Sequence, residues 1–134
     1  MCSKIKEIKN LYFEKRVEIE KFTEKEKTKL EKYKNGIYSF YDLNNELLYI
    51  GMVSNANTAS LYARMYGNGN AAHKKKNWFK DVNKVYFYQL NTTKKFDIMV
   101  LERILIRELN PRYNDLVFDD NEISNLLGIK SNNN

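Results

Sequence analysis

Two tyrosines on facing strands of a predicted hairpin are the first residues whose types and spacing could do chemistry. Two aromatic and β-branched runs flank a turn at Asn44-Asn45. Closing the hairpin there pairs Tyr38 with Gly51 and Phe40 with Tyr49, so the two tyrosines are diagonal neighbours on one face. Gly51 would leave open space beside the Tyr38 ring. The two phenols could bind or deprotonate a water in that space, or they could be ordinary sheet aromatics.

A carboxylate on an apolar helix face is the second candidate. Residues 96–109 are strongly apolar and predict a helix that ends before Asn110-Pro111. The neighbours of Glu102 on the same helix face are apolar, and burying an unpaired carboxylate there would be costly. These neighbours are Ile98, Met99, Leu105, Ile106 and Leu109. Glu102 is therefore either part of a buried ion pair, with Arg64 as its candidate partner, or a ligand for a hard cation such as Mg²⁺.

An arginine and a histidine complete the set. Arg64 is the only charged residue between Glu46 and Lys74, in a helix predicted from 59 to 66. A solitary guanidinium is well placed to hold a phosphate, although its stem could simply cover apolar surface. His73 is the only histidine and precedes three lysines. It could accept or relay a proton, or it could be incidental.

The positive charge is concentrated in one segment. The formal net charge is +6, and residues 60–95 alone carry +7. Such a local excess favours a polyanion such as nucleic acid, although a solvated basic face would look the same. The candidate nucleic-acid-binding residues are Arg64, Lys74, Lys75, Lys76 and Lys80.

These residues together match a known pattern. Gly36-Ile37-Tyr38, ten residues and then Tyr49-Ile50-Gly51 resemble the signature of the GIY-YIG nuclease superfamily. An arginine on the following helix (Arg64), a glutamate on a later apolar helix (Glu102) and Asn114 follow in the same order. The resemblance covers about residues 35–114.

The resemblance implies a small α+β domain, in which helices flank a three-stranded antiparallel sheet, and a metal-dependent DNA endonuclease. It implies one Mg²⁺ or Mn²⁺ ion per active site, held by Glu102, with Arg64 on the scissile phosphate. Tyr38 would be the general base, assisted by Tyr49 and acidified by nearby cations. Asn114 would hold the other residues of the site in place without contacting the reacting groups itself.

The chain departs from the family pattern in three places: Asn68, Met52 just after the second motif, and a longer loop from Gly51 to Arg64. Many relatives carry His or Tyr four residues after the arginine, where this chain has Asn68. We expect His73 to serve as the proton relay instead, with Tyr66 and residues 74–76 as alternatives.

The rest of the chain must position these residues. Residues 1–34 predict a long charged N-terminal helix, whose apolar stripe from Ile5 to Phe22 could support a homodimer. Residues 35–114 form the predicted nuclease domain. Residues 115–134 predict a short acidic extension, with a helix over 121–127 and a disordered tail.

The composition excludes several classes of protein. Its apolar runs are too short to span a membrane, and the N-terminus lacks the apolar core of a secretory signal. The single cysteine, Cys2, cannot form an internal disulfide. We therefore expect a cytoplasmic protein, and the resemblance implies a bacterial or phage origin. The alternatives to a nuclease are a catalytically silent DNA-binding or interaction module and a coiled-coil adaptor.

Overall fold

The computed structural model describes residues 12–54 and 58–114. They form an α+β fold around one antiparallel sheet of four strands in the order β1-β4-β2-β3. The strands are β1 (Phe13–Ile19), β2 (Gly36–Tyr41), β3 (Leu47–Val53) and β4 (Lys84–Leu90). The α+β class is confirmed, but the predicted sheet of three strands is one strand too small, because β1 pairs with β4.

Short helices and turns connect the strands, and one longer helix follows them. The α-helices are α1 (Lys27–Leu30), α2 (Leu61–Tyr66) and α3 (Lys95–Leu109). Three 3-10 turns lie at Glu24–Glu26, His73–Lys75 and Asn77–Asp81. The helices predicted over 59–66 and 96–109 are thus confirmed to within two residues. Within the described ranges, no helix is long and apolar enough to cross a membrane.

The predicted long N-terminal helix is wrong. Phe13–Ile19 is a strand, and the helical structure described between that strand and Asn35 is the 3-10 turn Glu24–Glu26 followed by the single turn α1. A bulge between Phe13 and Lys15 explains the misleading pattern. It shifts Phe13 to one face of the sheet while Ile19 packs on the other, which breaks the alternation typical of strands.

Two other predictions fall outside the described residues. These are the first part of the N-terminal helix, before Tyr12, and the extension over 115–134 with its predicted helix and tail. The proposed homodimer depended on a helical stripe from Ile5 to Phe22. Its described part is mainly strand β1, so the structure gives that interface no support.

The sheet has a separate apolar core on each face. One face packs against α1, α2 and the turn segments, and its fully buried residues include Leu30, Phe40, Val85 and Phe87. The other face packs against α3 through residues that alternate with the first set along each strand. This second core contains Ile37, Ile50, Leu90, Ile98, Leu101, Leu105 and Ile106.

The β2–β3 hairpin has the predicted register. Tyr38 is opposite Gly51 and Phe40 is opposite Tyr49, with a bulge after Phe40. The predicted gap beside Gly51 is not open, however. The ring of Tyr38 itself lies across Gly51, where a Cβ atom would overlap its Cζ and Oη atoms. The glycine therefore provides the space that the tyrosine ring occupies.

The chain after α3 closes the free edge of β3. Asn110, with φ 48°, ends α3 in the left-handed conformation, and Pro111 follows. The next two backbone amides, those of Arg112 and Tyr113, donate to the carbonyls of Leu47 and Leu48 at 3.2 and 2.8 Å. The edge strand is thus covered along half its length, which protects it from pairing with other chains.

The contact between Gly51 and Tyr38 yields a stability prediction. Gly51→Ala should lower the free energy of unfolding by about 1–3 kcal/mol, because the new methyl group would push the Tyr38 ring out of a packed core. Gly69→Ala is the matched control, since nothing lies within 4 Å of its added Cβ. Urea denaturation followed by circular dichroism measures both. Equal stability of the two variants would contradict the close approach.

Candidate active site

Tyr38 and His73 form a buried hydrogen-bonded pair. Tyr38 Oη and His73 Nε2 lie 2.6 Å apart, and the two residues are 2% and 5% exposed. Strand β2 supplies the tyrosine, and the 3-10 turn His73–Lys75 supplies the histidine from 35 residues further along the chain. His73 therefore lies within hydrogen-bond distance of Tyr38, the predicted general base.

Both members of this pair are held in their neutral forms. Burial raises the pKa of Tyr38 well above its usual value, and neighbouring Tyr49 adds to that increase. Burial also lowers the pKa of His73 from 6.5 to about 4, with further lowering by the charges of Arg64 and Lys76. The expected acidification of Tyr38 by cations is therefore not seen in the free protein. Arg64 does lower its pKa, but burial has the larger effect.

An open cleft of about 320 Å³ lies beside the pair. Three of the predicted catalytic residues reach it, namely Tyr49, His73 and Asn114. Tyr38 lies behind them and is not part of the lining. The remaining lining residues are Ala71, Lys76, Trp78 and Tyr113.

Three stacked rings make one wall of this cleft. The Trp78 ring lies 5.3 Å from that of Tyr49 at 22° and 5.3 Å from that of Tyr113 at 4°. His73 meets Tyr49 edge-on at 4.6 Å. We call Tyr49, Trp78 and Tyr113 the aromatic wall. It fixes the orientation of the imidazole as well as the shape of the cleft.

Glu102 reaches the edge of β3 from α3. Its carboxylate accepts a hydrogen bond from the backbone N–H of Met52, the residue after Gly51. Burial raises the pKa of Glu102 to about 7, although the charges of Arg103 and Arg64 and the Met52 hydrogen bond oppose the increase. Arg64 is exposed, so it does not form the buried ion pair that was one of the two alternatives.

Asn114 holds β3 in place beside the cleft. Its Oδ1 accepts from the backbone N–H of Ile50 at 2.9 Å, and its Nδ2 donates to the carbonyl of the same residue at 2.9 Å. The side-chain amide therefore pairs with the β3 backbone as a neighbouring strand would, within the Tyr49-Ile50-Gly51 motif. This contact is consistent with the predicted ordering role.

Comparison with known proteins agrees with this geometry. Residues 34–115 match the family model described as the UvrC-like GIY-YIG domain. The chain belongs to this family. It is also 31% identical over 93 residues to the UvrABC system protein C of Cereibacter sphaeroides, which covers 69% of this chain and 14% of that relative. The chain thus spans a small part of the relative's length, and no solved structure matches it. The family and the relative support a nuclease-type function.

The GIY-YIG domain brings only some of the predicted basic residues to the cleft. Lys76 lines it, and Arg64 is close enough to lower the pKa of His73. Lys74 pairs with Glu24 at 2.9 Å, and Lys75 donates to the carbonyl of Asn68. Lys80 lines a different pocket, together with Asp81 and Arg112.

The alternative relay Tyr66 has another partner in this domain. Its hydroxyl donates to the backbone carbonyl of Phe22, and burial raises its pKa to about 12. Among the candidates for the relay, His73 is the one that the structure places against Tyr38.

Trp78 and Tyr113 were not predicted as site residues. The sequence carries a weak signal for each of them. Trp78 is the only tryptophan and lies within the basic segment, and Tyr113 adjoins Asn114 in the last matched motif. No periodic pattern links these residues to Tyr49, because their contacts depend on how the turn and the C-terminal segment fold over β3.

The low pKa of His73 predicts acid sensitivity. Because this pKa is about 4 in the folded protein and 6.5 in the unfolded chain, the unfolded chain binds more protons between these values. The contribution of His73 to stability is complete above pH 6.5 and falls by up to about 3 kcal/mol as the pH drops toward 4.

Urea denaturation at several pH values tests this with His73→Gln, which cannot titrate. The difference in unfolding free energy between the wild-type protein and this variant should shrink as the pH falls from 6.5 to 4. Parallel pH profiles would show that His73 is not buried in its neutral form.

Proposed function

We propose that this domain is a metal-dependent endonuclease that hydrolyses phosphodiester bonds in DNA. The observation that carries the proposal is the buried hydrogen bond between Tyr38 and His73, placed beside an open cleft and next to the motif that receives Glu102. Pure binding would not require a buried proton-exchanging pair and a carboxylate directed toward phosphates. The family and the relative support the nuclease class.

Tyr38 and His73 move the proton of the attacking water in this proposal. Tyr38 Oη accepts that proton while its own hydrogen passes to His73 Nε2, so no free phenolate has to form in a buried site. His73 lines the cleft and then releases the proton to solvent there, which its low pKa favours, while the leaving oxygen of the broken P–O bond takes a proton from the same solvent. Tyr49 lines the cleft and orients the water.

Arg64 is the proposed phosphate ligand. It is exposed on α2, and its charge acts on Tyr38, His73 and Glu102 alike, so it lies within electrostatic reach of all three. A guanidinium at this point can bind the scissile phosphate and stabilise the charge that develops on it. Lys76, on the rim of the cleft, adds positive charge for the neighbouring backbone.

Glu102 is the proposed holder of one Mg²⁺ or Mn²⁺ ion. Burial raises its pKa to about 7 against the lowering by Arg103 and Arg64, and a cation bound at the carboxylate would favour its charged form. Within the described residues, no three His, Cys, Asp or Glu side chains cluster as a metal site. A single carboxylate with waters and substrate oxygens suits Mg²⁺. The ion would neutralise phosphate charge and lower the pKa of a bound water.

Removal of the Tyr38 hydroxyl tests the proton path. Tyr38→Phe keeps the ring on Gly51, but it should slow plasmid nicking by about 10²- to 10⁴-fold, the usual contribution of a general base. Binding of the same DNA, measured by gel shift, should be unchanged. Nicking at the wild-type rate would exclude Tyr38 as the base. An intact plasmid with the wild-type protein, together with a gel shift, would instead support a silent DNA-binding module.

Glu102→Gln tests the metal site through stability as well as activity. The pKa is about 7 in the folded protein and 4.5 in the unfolded chain, so the stabilising contribution of Glu102 is lost as the pH rises through 7. At pH 8 without metal, the variant should therefore be more stable than the wild type by up to about 3 kcal/mol.

Added Mg²⁺ should stabilise the wild-type protein at pH 8 and leave the Glu102→Gln variant unchanged, in thermal or urea unfolding. The variant should also fail to nick plasmid while still binding it. If Mg²⁺ stabilised both proteins equally, Glu102 would not be the ligand.

A further inference from the structure

We infer that the cleft beside Tyr49 receives an unstacked nucleobase, so the preferred substrate is DNA with an unpaired nucleotide next to the bond that is cut. This inference rests on the proposed nuclease function and adds a substrate class to it. It is carried by the aromatic wall, the size of the cleft and the charges around it.

The size of the cleft suits one nucleotide unit. Its volume of about 320 Å³ lies at the lower end of the roughly 300–1,000 Å³ that small-molecule pockets occupy. Ala71 also lines the cleft, and its small side chain takes up little of this volume. A polypeptide or a whole duplex would not enter a space of this size.

The chemistry of the lining suits a flat, apolar ring system. Tyr49, Trp78 and Tyr113 are half-buried, and their planes lie within 22° of their neighbours in the stack. The Trp78 ring lies between the other two rings, so a base can extend this stack at its outer end, on the ring of Tyr113, whatever the base sequence. His73 and Asn114 also line the cleft and add polar groups.

The charges suit a nucleotide rather than a neutral aromatic ligand. Among the described residues that line the cleft, none is acidic, and Lys76 carries a positive charge at its rim. Arg64 acts on His73 from the same region. A base in the cleft would thus have cationic groups available for its phosphate, at the place where hydrolysis is proposed.

A paired duplex would fill this cleft poorly. Its bases are stacked on one another, and withdrawing one of them costs a few kilocalories per mole, least for a base that is already unpaired. The cleft should therefore favour bulges, mismatches and single strands over regular duplex DNA. No base-specific contact is needed for this preference.

Trp78 makes the inference measurable, because it is the only tryptophan in the chain. Its fluorescence can be followed during titration with three DNA duplexes in the presence of a chelator, so that no strand is cut. One duplex carries a single unpaired thymine, one is fully paired, and one has an abasic site in place of the unpaired thymine. We expect quenching with the unpaired thymine and little change with the other two.

Tyr113→Leu is the test variant, since it removes a stacking ring and keeps apolar bulk and the reporter. Its affinity for the duplex with the unpaired thymine should fall by about 5- to 150-fold, as expected for the loss of one base–aromatic stack. Tyr88→Leu is the matched control. Tyr88 is also half-buried, and its ring packs against that of Phe13 at 5.0 Å and 39°, away from the cleft. Circular dichroism checks that both variants fold.

Two results would overturn the inference. These are equal quenching by all three duplexes, and equal loss of affinity in the two variants. Plasmid cleavage is read separately, which keeps the two proposals distinct. Cleavage without preferential quenching would support the proposed nuclease activity and exclude base binding in the cleft. Preferential quenching without cleavage of the unpaired-thymine duplex in Mg²⁺ would support base binding and exclude the proposed nuclease activity.

Discussion

The contact between the Tyr38 ring and Gly51 is the constraint on which the site depends. A ring can lie flat across a neighbouring strand only where that strand has no side chain, and Gly51 supplies such a position. From there the Tyr38 hydroxyl reaches His73 at 2.6 Å. The next residue of the strand, Met52, holds Glu102 through its backbone N–H. Two consecutive residues of β3 therefore bring the proton-transfer pair and the carboxylate to one place.

Burial shifts three titratable groups of this site toward their neutral forms. The pKa values of Tyr38 and Glu102 are raised and that of His73 is lowered, so each group favours its neutral form. This avoids the large cost of burying isolated charges. It also makes the site responsive, because a cation near Glu102 or an anion near Arg64 would change the local charges that act on all three groups. A bound cation or phosphate would therefore also change the protonation of the residues that form the site.

The edge of β3 serves stability and function together. Residues 112–114 cover its unpaired backbone groups, which would otherwise invite association with other chains. The same segment places Asn114 behind the Tyr49 motif and Tyr113 in the aromatic wall. A short connection after α3 therefore protects the sheet and shapes the cleft. In the cleft, the stacked rings surround His73 closely enough to limit its orientation.

Much of this site could be predicted from the sequence, because it depends on local regularities. The alternation of side chains along two strands was enough to pair Tyr38 with Gly51 and to place both tyrosines on one face. The helical period was enough to place Glu102 on an apolar face and to end the helix before Pro111. The order of the motifs indicated the family.

Only the tertiary structure decided the remaining features. Strand β1 was not predicted, because its bulge breaks the alternation of apolar and polar residues that is typical of strands. Its pairing with β4 also joins segments about 70 residues apart. The hydrogen bond from Tyr38 to His73, the stacking of Trp78 on Tyr113 and the shifted pKa values likewise depend on contacts across the fold. A local pattern reports the period of one segment, whereas burial and long-range contacts arise only when the segments pack together.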